Sequence, residues 1–444
     1  MTKGQLWETK PLEFWGKAKE LRALWQSSSS DEQKIIGQGN CYPYLIDWAA
    51  CFPGIAPLED NPAGSMIQNK DSPFARKCRL ASEVRGWGRE ICGYVNNLWG
   101  SMFLGYEQDG APFPLRKFVI PMPCVCDQHA KRGQQCRDFA HVPQWMGDQP
   151  VYFGAQDMAR DEPLREHKVY STLQQINDLE RIFGQKFDEE KLSEMIRATG
   201  AFVEAARDIS WLMATTIPTP ISIKDMYSVY TIGGLTKVDP DETVKFWKLV
   251  RDEVAWRAKN HIAAVGNERF RWVETHPPSW HFLKYYRYME QYGAVCMGSI
   301  YAHMMGGILE YKPDGSIDSR KAQVYPPDMP VITREDGIRV MVGPDPREPQ
   351  NFKLDEYLRR DSIVEFAQIM QADGAILPLW RSGIGCTLTR KEQAMYLKEA
   401  GVSVLHYEGS QPGDRTDMDE KRFLDQLDTW MQSLGLGMLE EPHS

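Results

Sequence analysis

The chain has 444 residues, more than one ordinary hydrophobic core supports, which predicts two or three domains. Hydrophobic residues make up 42% of the chain and charged residues 25%, which is typical of a globular protein and excludes a disordered one. The net charge of −9 argues against a nucleic-acid partner, because binding to phosphates requires a basic surface.

The start of the chain lacks the apolar segment and small-residue cleavage site of a secretory signal. No apolar run approaches the length of a helix that crosses a bilayer. We therefore expect a cytoplasmic protein without a membrane partner. Its nine cysteines are then expected to be buried thiols and metal ligands, because disulfides are rare in a reducing compartment.

Residues 1–160 predict an N-terminal α/β lobe. Short apolar runs at 118–120 and 151–153 are typical of buried strands. The four serines at 27–30 indicate a polar linker between an opening helix and this lobe.

Residues 161–270 predict a helical region. The first helix is indicated by apolar residues at helical spacing, namely Val169, Leu173, Ile176, Leu179 and Ile182. Asp188 is expected to cap the next helix. Asp239, Pro240 and Glu242 form a third helix start, with an N-cap, a proline at the first helical position and a glutamate at the third.

Residues 271–444 predict a C-terminal α/β lobe. Strands near 375–380 and 402–406 are each followed by a helix, an order typical of a parallel sheet with right-handed crossovers. Such sheets bind ligands beyond the carboxyl ends of their strands, and Cys386 follows the first of these strands. The predicted fold is therefore α/β, with two Rossmann-like lobes built on parallel sheets and an intervening helical region.

Three interpretations compete for the cysteines. Cys124 and Cys126 could simply be buried thiols, which base rates favour over a zinc site. A local zinc site in a non-enzymatic interaction module would use the group Cys124, Cys126, His129, Cys136 and His141, although this spacing matches no standard zinc knuckle. Alternatively, Cys126 acts with the distant Cys92 and Cys386. Three thiolates would bind three irons of a 4Fe–4S cluster and leave the fourth open to substrate. Spacing alone does not decide among the three.

Four motifs occur in a characteristic order. They are the segment 39–57 (GNCYPYLIDWAACFPGIAP), the tripeptide Cys92-Gly93-Tyr94, the strand that ends in Cys124-Val125-Cys126-Asp127, and the segment 373–386, followed by a strand at 402–407 and a helix at 419–434. In this order they resemble the motifs of the 2-hydroxyacyl-CoA dehydratase and benzoyl-CoA reductase family. The resemblance covers about residues 35–435.

The resemblance implies an assignment of the cysteines. Carried over position by position, the three protein ligands of the family's 4Fe–4S cluster fall on Cys92, Cys126 and Cys386. Cys41 lies in a family motif but is not assigned as a ligand. The remaining thiols are interpreted as buried, and they are Cys51, Cys78, Cys124, Cys136 and Cys296.

The resemblance also implies a subunit of an anaerobic iron–sulfur oxidoreductase that acts on an acyl-CoA. Its 14 tryptophans and the segment 280–286 favour a cluster-bearing, substrate-binding subunit of an ATP-dependent (class I) benzoyl-CoA reductase, which reduces the aromatic ring to a cyclic dienoyl-CoA. Ser299-Ile300-Tyr301 stands where acidic residues are expected in dehydratases. The alternatives are an (R)-2-hydroxyacyl-CoA dehydratase subunit, or an electron-relay partner without its own substrate site.

A hetero-oligomer is implied as well, with a homologous cluster-bearing subunit, an ATP-hydrolysing iron–sulfur activator and ferredoxin as the upstream donor. The chain has no Walker-type G-x4-G-K-[ST] motif and is not expected to bind ATP. The reaction needs a proton donor near the substrate. Among His129, His281, Tyr301 and His303, the candidate for this catalytic role is His303, because it follows the strand predicted at 294–299.

Overall fold

The computed structural model describes residues 5–28, 35–38, 48–53, 56–59, 73–88, 90–108, 110–113, 118–120, 127–144, 158–274, 283–299, 309–311, 317–319, 333–342, 360–379, 390–408 and 418–439. They form helices and strands, and all but two of the strands pair in parallel. The protein is therefore α/β, as the sequence predicts. No helix among the described residues is both long and apolar enough to span a membrane.

The helices in chain order are α1 (Trp15–Ser28), α2 (Pro73–Glu83), α3 (Gly93–Leu104), α4 (Asp127–Ala140), α5 (Met158–Phe183), α6 (Glu189–Thr215), α7 (Ile223–Val229), α8 (Pro240–Lys259), α9 (Lys284–Glu290), α10 (Arg334–Val342), α11 (Arg360–Ile369), α12 (Arg390–Glu399) and α13 (Glu420–Ser433). The strands are β1 (Ile35–Gln38), β2 (Ala56–Glu59), β3 (Phe118–Ile120), β4 (Phe270–Glu274), β5 (Ala294–Gly298), β6 (Leu309–Tyr311), β7 (Ile317–Ser319), β8 (Gly374–Leu379) and β9 (Ser403–Glu408). Short 3-10 helices cover Trp48–Cys51 and Tyr230–Lys237.

Two parallel sheets organise the described residues. The first has three strands in the order β2-β1-β3, and the second has four in the order β5-β4-β8-β9. Strands β6 and β7 form a separate antiparallel pair. Because the four strands of the second sheet are parallel, they all end on one side, which we call the carboxyl edge. They end there at Glu274, Gly298, Leu379 and Glu408.

Helix α6 contributes to two hydrophobic cores. Its first half carries Leu192 and Ile196 into a core that also contains Phe118 of β3. Its second half carries Phe202 and Ile209 into the larger core around the four-stranded sheet. The division into domains at residues 160 and 270 stays a prediction.

Both predicted helix caps are confirmed. Asp188 accepts a hydrogen bond from the amide of Lys191 at 2.9 Å and begins α6. Asp239 accepts one from the amide of Glu242 at 3.0 Å and begins α8, with Pro240 as its first residue. Each carboxylate satisfies a backbone donor that the first turn of a helix leaves unpaired.

Two other expectations are wrong, and a third is confirmed only in part. Helix α1 continues to Ser28, so the first two of the four serines are helical and not part of a linker. Ile182, placed in the buried stripe of α5, is 53% exposed because it lies in the last turn of that helix. The strand predicted at 151–153 lies outside the described residues, whereas the one at 118–120 is confirmed as β3.

Candidate functional site

Cys92 is the N-cap residue of α3, and Gly93 is its first helical residue. The glycine therefore marks the start of a helix. The thiol is partly exposed and borders an apolar cluster that includes Trp99 and Cys136. Its side chain makes no capping hydrogen bond, and the positive end of the helix dipole lies beside it. This environment favours a negatively charged group next to Cys92.

The position of α3 is fixed by a close crossing with α2. A β-carbon added at Gly100 would lie 2.0 Å from the carbonyl oxygen of Cys78, so the two backbones are in contact at this point. Only glycine permits such an approach. The crossing therefore holds the helix that begins at Cys92 against its neighbour.

Polar contacts fix the turn that leads into Cys92. The side-chain amide of Asn96 donates to the carbonyl of Gly88 at 3.1 Å and to that of Ile91 at 3.3 Å. The hydroxyl of Ser82 donates to the carbonyl of Asn96 at 3.0 Å. These bonds connect α2, the turn and the first helical turn of α3, and they restrict where the thiol can point.

The other three predicted site residues, Cys126, Cys386 and His303, lie outside the described residues. In the sequence, Cys126 directly precedes α4, Cys386 stands between β8 and α12, and His303 follows β5. No group of three or more histidine, cysteine, aspartate or glutamate side chains in the described ranges is arranged to hold a metal ion. The three-cysteine site therefore stays a prediction.

Four of the unassigned cysteines are described, and all are buried: Cys51, Cys78, Cys136 and Cys296. Burial raises the pKa of Cys78 to about 12 and that of Cys296 well above its usual range. Both thiols are therefore neutral at pH 7. The interpretation of these cysteines as packing residues agrees with their surroundings.

The alternative zinc site loses support from two of its members. Cys136 packs in the apolar cluster of α3, and the side chain of His141 is exposed beyond the end of α4. Cys124, Cys126 and the side chain of His129 lie outside the described part. A buried thiol and an exposed imidazole do not form a compact tetrahedral site.

A polar cluster that the sequence did not predict occupies the carboxyl edge. Glu274, the last residue of β4, is 2% exposed. Its Oε1 accepts hydrogen bonds from the hydroxyls of Tyr227 at 2.7 Å and Tyr286 at 2.6 Å, and its Oε2 accepts one from Tyr285 at 3.2 Å. We call these four residues the Glu274 cluster. Trp272 packs on the tyrosine rings, with centroids 5.2 Å from Tyr286 and 5.9 Å from Tyr285.

Burial dominates the electrostatics of this cluster. It raises the pKa of Glu274 to about 7, although the hydroxyls of Tyr286, Tyr227 and Tyr285 act in the opposite direction. Burial also raises the pKa of all three tyrosines well above the ordinary value, and the Glu274 carboxyl adds to this effect. The phenols therefore keep their protons at neutral pH, whereas the carboxyl is poised between its two forms.

The Glu274 cluster continues toward the end of β5. The hydroxyl of Tyr227 also forms a hydrogen bond with Ser299, the first residue after that strand, and Ser299 is fully buried. The chain segment that follows Ser299 contains His303. The signal in the sequence was a glutamate at the end of the strand Phe270–Glu274, at the side of a parallel sheet where ligands bind.

The profile of the family described as 2-hydroxyglutaryl-CoA dehydratase, D-component, matches residues 74–434. The chain belongs to this family. The α subunit of (R)-phenyllactyl-CoA dehydratase from Clostridium sporogenes is 23% identical over 235 residues, which are 52% of this chain and 55% of that protein. The α subunit of (R)-2-hydroxyisocaproyl-CoA dehydratase from Clostridioides difficile is 22% identical over 359 residues, 80% of each chain. The match thus spans about half the length of the first relative.

Membership in the D-component family confirms the family that the motifs indicated, and the match covers the last three of them, whereas the segment 39–57 precedes it. Both relatives are named as subunits of dehydratases of acyl-CoA thioesters, which supports the dehydratase alternative better than a benzoyl-CoA reductase.

The described residues around Cys92 fit the cluster that this family implies. A partly exposed thiol at a helix N-terminus is a suitable donor. Two buried guanidinium groups, Arg79 of α2 and Arg132 of α4, lie on the helices that pack against α3. Positive charge in this helical layer would balance the negative charge of thiolates and sulfides.

Proposed function

We propose that the chain is a subunit of a 2-hydroxyacyl-CoA dehydratase-type enzyme, which removes water from a 2-hydroxyacyl-CoA thioester. The observation that carries this proposal is the family match, which extends from residue 74 to residue 434. It includes the three candidate cysteines and all four strands of the second sheet. The names of the two relatives support the same reaction class.

The proposed cofactor is a 4Fe–4S cluster held by Cys92, Cys126 and Cys386. Thiolates are the usual ligands of such clusters. When bound, the cluster would supply single electrons at low potential. The contribution of the described residues is to present the Cys92 thiol at a fixed helix start and to place positive charge in the same layer.

The residues at the carboxyl edge would serve the acyl group. Parallel sheets bind ligands beyond this edge. The closely packed rings of Trp272, Tyr285 and Tyr286 below the edge leave little access for water, which suits reactive intermediates. His303 remains the candidate proton donor, because it follows β5 in the chain and the reaction must move a proton.

Partners of three kinds complete the proposal: a homologous cluster-bearing subunit, an ATP-hydrolysing iron–sulfur activator and a ferredoxin donor. Both relatives are named as α subunits, which supports a partner subunit. If the partner alone binds the thioester, this chain is the electron-relay subunit of the same enzyme.

A second candidate function is the reduction of benzoyl-CoA to a cyclic dienoyl-CoA. One observation favours it. Ser299, which stands where an acidic residue is expected in a dehydratase, is fully buried and hydrogen-bonded to Tyr227. A neutral hydroxyl at this position suits an apolar aromatic substrate.

The test is an anaerobic assay of the chain with its partner subunit, activator and reductant. Aliphatic and aromatic (R)-2-hydroxyacyl-CoA thioesters and benzoyl-CoA are supplied separately, and the products are resolved by mass spectrometry. We expect loss of water from a 2-hydroxyacyl-CoA. Dienoyl-CoA from benzoyl-CoA alone would establish the reductase instead, and turnover of neither class would reject both functions.

A further inference from the structure

The Glu274 cluster has an unusual partner set. Buried carboxylates are normally matched by a cation, yet no ion pair to Glu274 occurs within the ranges that the structure describes. Its partners are instead three phenols, and a hydroxyl donates and accepts equally well. Such a set stabilises the carboxyl both with and without its proton.

In this cluster the charge that changes near neutral pH is that of the Glu274 carboxyl. The ionisable groups on four elements that pack against the cluster are Lys224, Asp225 and Tyr227 of α7, Lys284, Tyr285, Tyr286, Arg287, Tyr288 and Glu290 of α9, Cys296 of β5, and His406, Tyr407 and Glu408 of β9. Of the three cations in this set, Lys224 is bound to Glu290 with 2.6 Å between Nζ and Oε1, Lys284 is bound to Glu420 at 2.7 Å, and Arg287 acts on Glu290. None of the three forms an ion pair with Glu274 in the described ranges.

We propose that Glu274 stores the proton that the reaction at the carboxyl edge consumes, and that Tyr227 and Ser299 conduct it there. This inference rests on the proposed function, because departure of a hydroxyl group as water and reduction of a ring both consume a proton. A chain of hydrogen bonds links the two ends: the Tyr227 hydroxyl donates to Glu274 and is itself bonded to the hydroxyl of Ser299, the first residue after β5. The candidate donor His303 is four residues further along the chain.

The transfer balances without a redox step. In the structure Tyr227 donates to Glu274, so before the transfer the hydroxyls of Tyr227 and Ser299 rotate and the protonated carboxyl becomes the donor. The O–H bond of the Glu274 carboxyl then breaks as the phenol oxygen of Tyr227 accepts its proton. The phenol passes its own proton to the Ser299 hydroxyl, and Ser299 passes its hydroxyl proton to the acceptor above the edge. Both hydroxyls end as they began, Glu274 is left as a carboxylate, and a proton from water restores it.

The protonation behaviour of Glu274 suits storage. Burial raises its pKa to about 7, so the carboxyl holds and releases a proton near neutral pH, where transfer is most effective. Tyr285 and Tyr286 stay protonated and keep the carboxyl in place through their hydrogen bonds. Glu274 is a positioning residue in this scheme, because it acts on substrate through Tyr227 and Ser299.

The first test measures proton storage on the full chain without substrate. Difference infrared spectra between pH 5 and pH 9 report the carbonyl stretch of a protonated carboxyl. We expect a signal that titrates near pH 7, disappears in Glu274→Gln and persists in Tyr288→Phe. Tyr288 is the matched control, because its hydroxyl lies on the same helix and bonds to Asp428 at 2.7 Å, outside the cluster. A wild-type protein without this signal would overturn storage.

The second test measures conduction in the assembled enzyme. Glu274→Gln should lower kcat roughly 100-fold and remove the limb of the pH profile near pH 7. Ser299→Ala should lower kcat similarly while the infrared signal of Glu274 remains, and Tyr227→Phe gives the same comparison if Glu274→Gln does not fold. An unchanged pH profile in Glu274→Gln, or full activity in both Tyr227→Phe and Ser299→Ala, would overturn conduction.

The two tests also separate this inference from the proposed function. If the wild-type enzyme converts no acyl-CoA, the proposed function is rejected, and the infrared measurement still decides whether Glu274 stores a proton. If the wild-type enzyme is active and the variants behave like it, the function stands and the inference is rejected.

Discussion

The helical layer around Cys92 and the four-stranded sheet around Glu274 are held in place by different interactions. In the layer, the backbones of α2 and α3 touch at Gly100 and Cys78 beside an apolar cluster, and the buried Arg79 and Arg132 lie on α2 and α4. In the sheet, buried charged groups occupy both edges, with Glu274 at the carboxyl edge and the pair of Glu268 and Arg271 at the other. The crossing of α2 and α3 should therefore respond to changes in volume, and the two edges of the sheet to changes in charge and pH.

The largest effect is expected from the buried ion pair of the sheet. Glu268 and Arg271 are joined by 2.6 Å between Oε1 and Nε, and both are almost fully buried. Glu268→Gln leaves the guanidinium without its counter-charge, so the free energy of unfolding should fall by about 3–5 kcal/mol. Chemical denaturation measures this change.

A surface pair supplies the control. Arg339 and Glu166 are 2.6 Å apart but both are exposed, so Glu166→Gln should leave the unfolding curve unchanged. If Glu268→Gln proved as mild as this control, charge would not be what holds the sheet.

The next effect concerns pH. The pKa of Glu274 is raised from 4.5 to about 7 in the folded protein, so below pH 4.5 the group is neutral in both states and contributes nothing. Between these pH values the folded state binds more protons than the unfolded state, and stability falls as pH rises. By pH 8 the loss amounts to about 3 kcal/mol.

Glu274→Gln removes this ionisation. The variant should therefore lose less stability than the wild type between pH 5 and pH 8, as measured by thermal or chemical unfolding at each pH. Asp241→Asn, which changes an exposed carboxyl on α8, should keep the wild-type slope. Equal slopes in the wild type and in Glu274→Gln would contradict the assignment.

A volume change should damage the helical layer. Gly100→Ala places a methyl group 2.0 Å from the carbonyl oxygen of Cys78, and the two helices must move apart. We expect a loss of about 1–3 kcal/mol in unfolding free energy. Gly16→Ala in α1 is the matched control, because no atom lies within 4 Å of the added carbon. A harmless Gly100→Ala would show that the crossing does not position α3.

The smallest effect is expected from a hydroxyl, that of Ser82, which links α2 to α3. Ser82→Ala removes the 3.0 Å bond from its hydroxyl to the carbonyl of Asn96 and should cost about 1 kcal/mol. Thr429→Ala removes an exposed bond of the same kind, to the carbonyl of Asp425, and should have almost no effect. A loss of several kcal/mol in Ser82→Ala would mean that polar contacts and not packing hold the layer.

Local signals in the sequence predicted much of the fold. The caps Asp188 and Asp239 and the strands near 118–120, 375–380 and 402–406 rest on interactions between near neighbours, and each is confirmed within a residue or two. The exposure of Ile182 was not predictable in this way, because it depends on where the surrounding core ends.

Less of the candidate site than of the fold could be predicted from the sequence. The resemblance of the motifs indicated the family, and the family is confirmed, but three of the four predicted site residues lie outside the described part. The Glu274 cluster was missed because its members are far apart in the chain, with Tyr227 on α7, Glu274 on β4 and Tyr286 on α9. Periodicity reports which face of an element is buried, and it does not report which buried groups meet.

The most direct test of the account is the iron and acid-labile sulfide content of the chain purified without oxygen. The wild type should contain about four irons per chain and little zinc, as expected of one 4Fe–4S cluster. Cys92→Ser, Cys126→Ser and Cys386→Ser should each lose the iron, whereas Cys51→Ser and Cys136→Ser should retain it. Zinc without iron in the wild type, or loss of iron in the second pair of variants but not in the first three, would contradict the central claim.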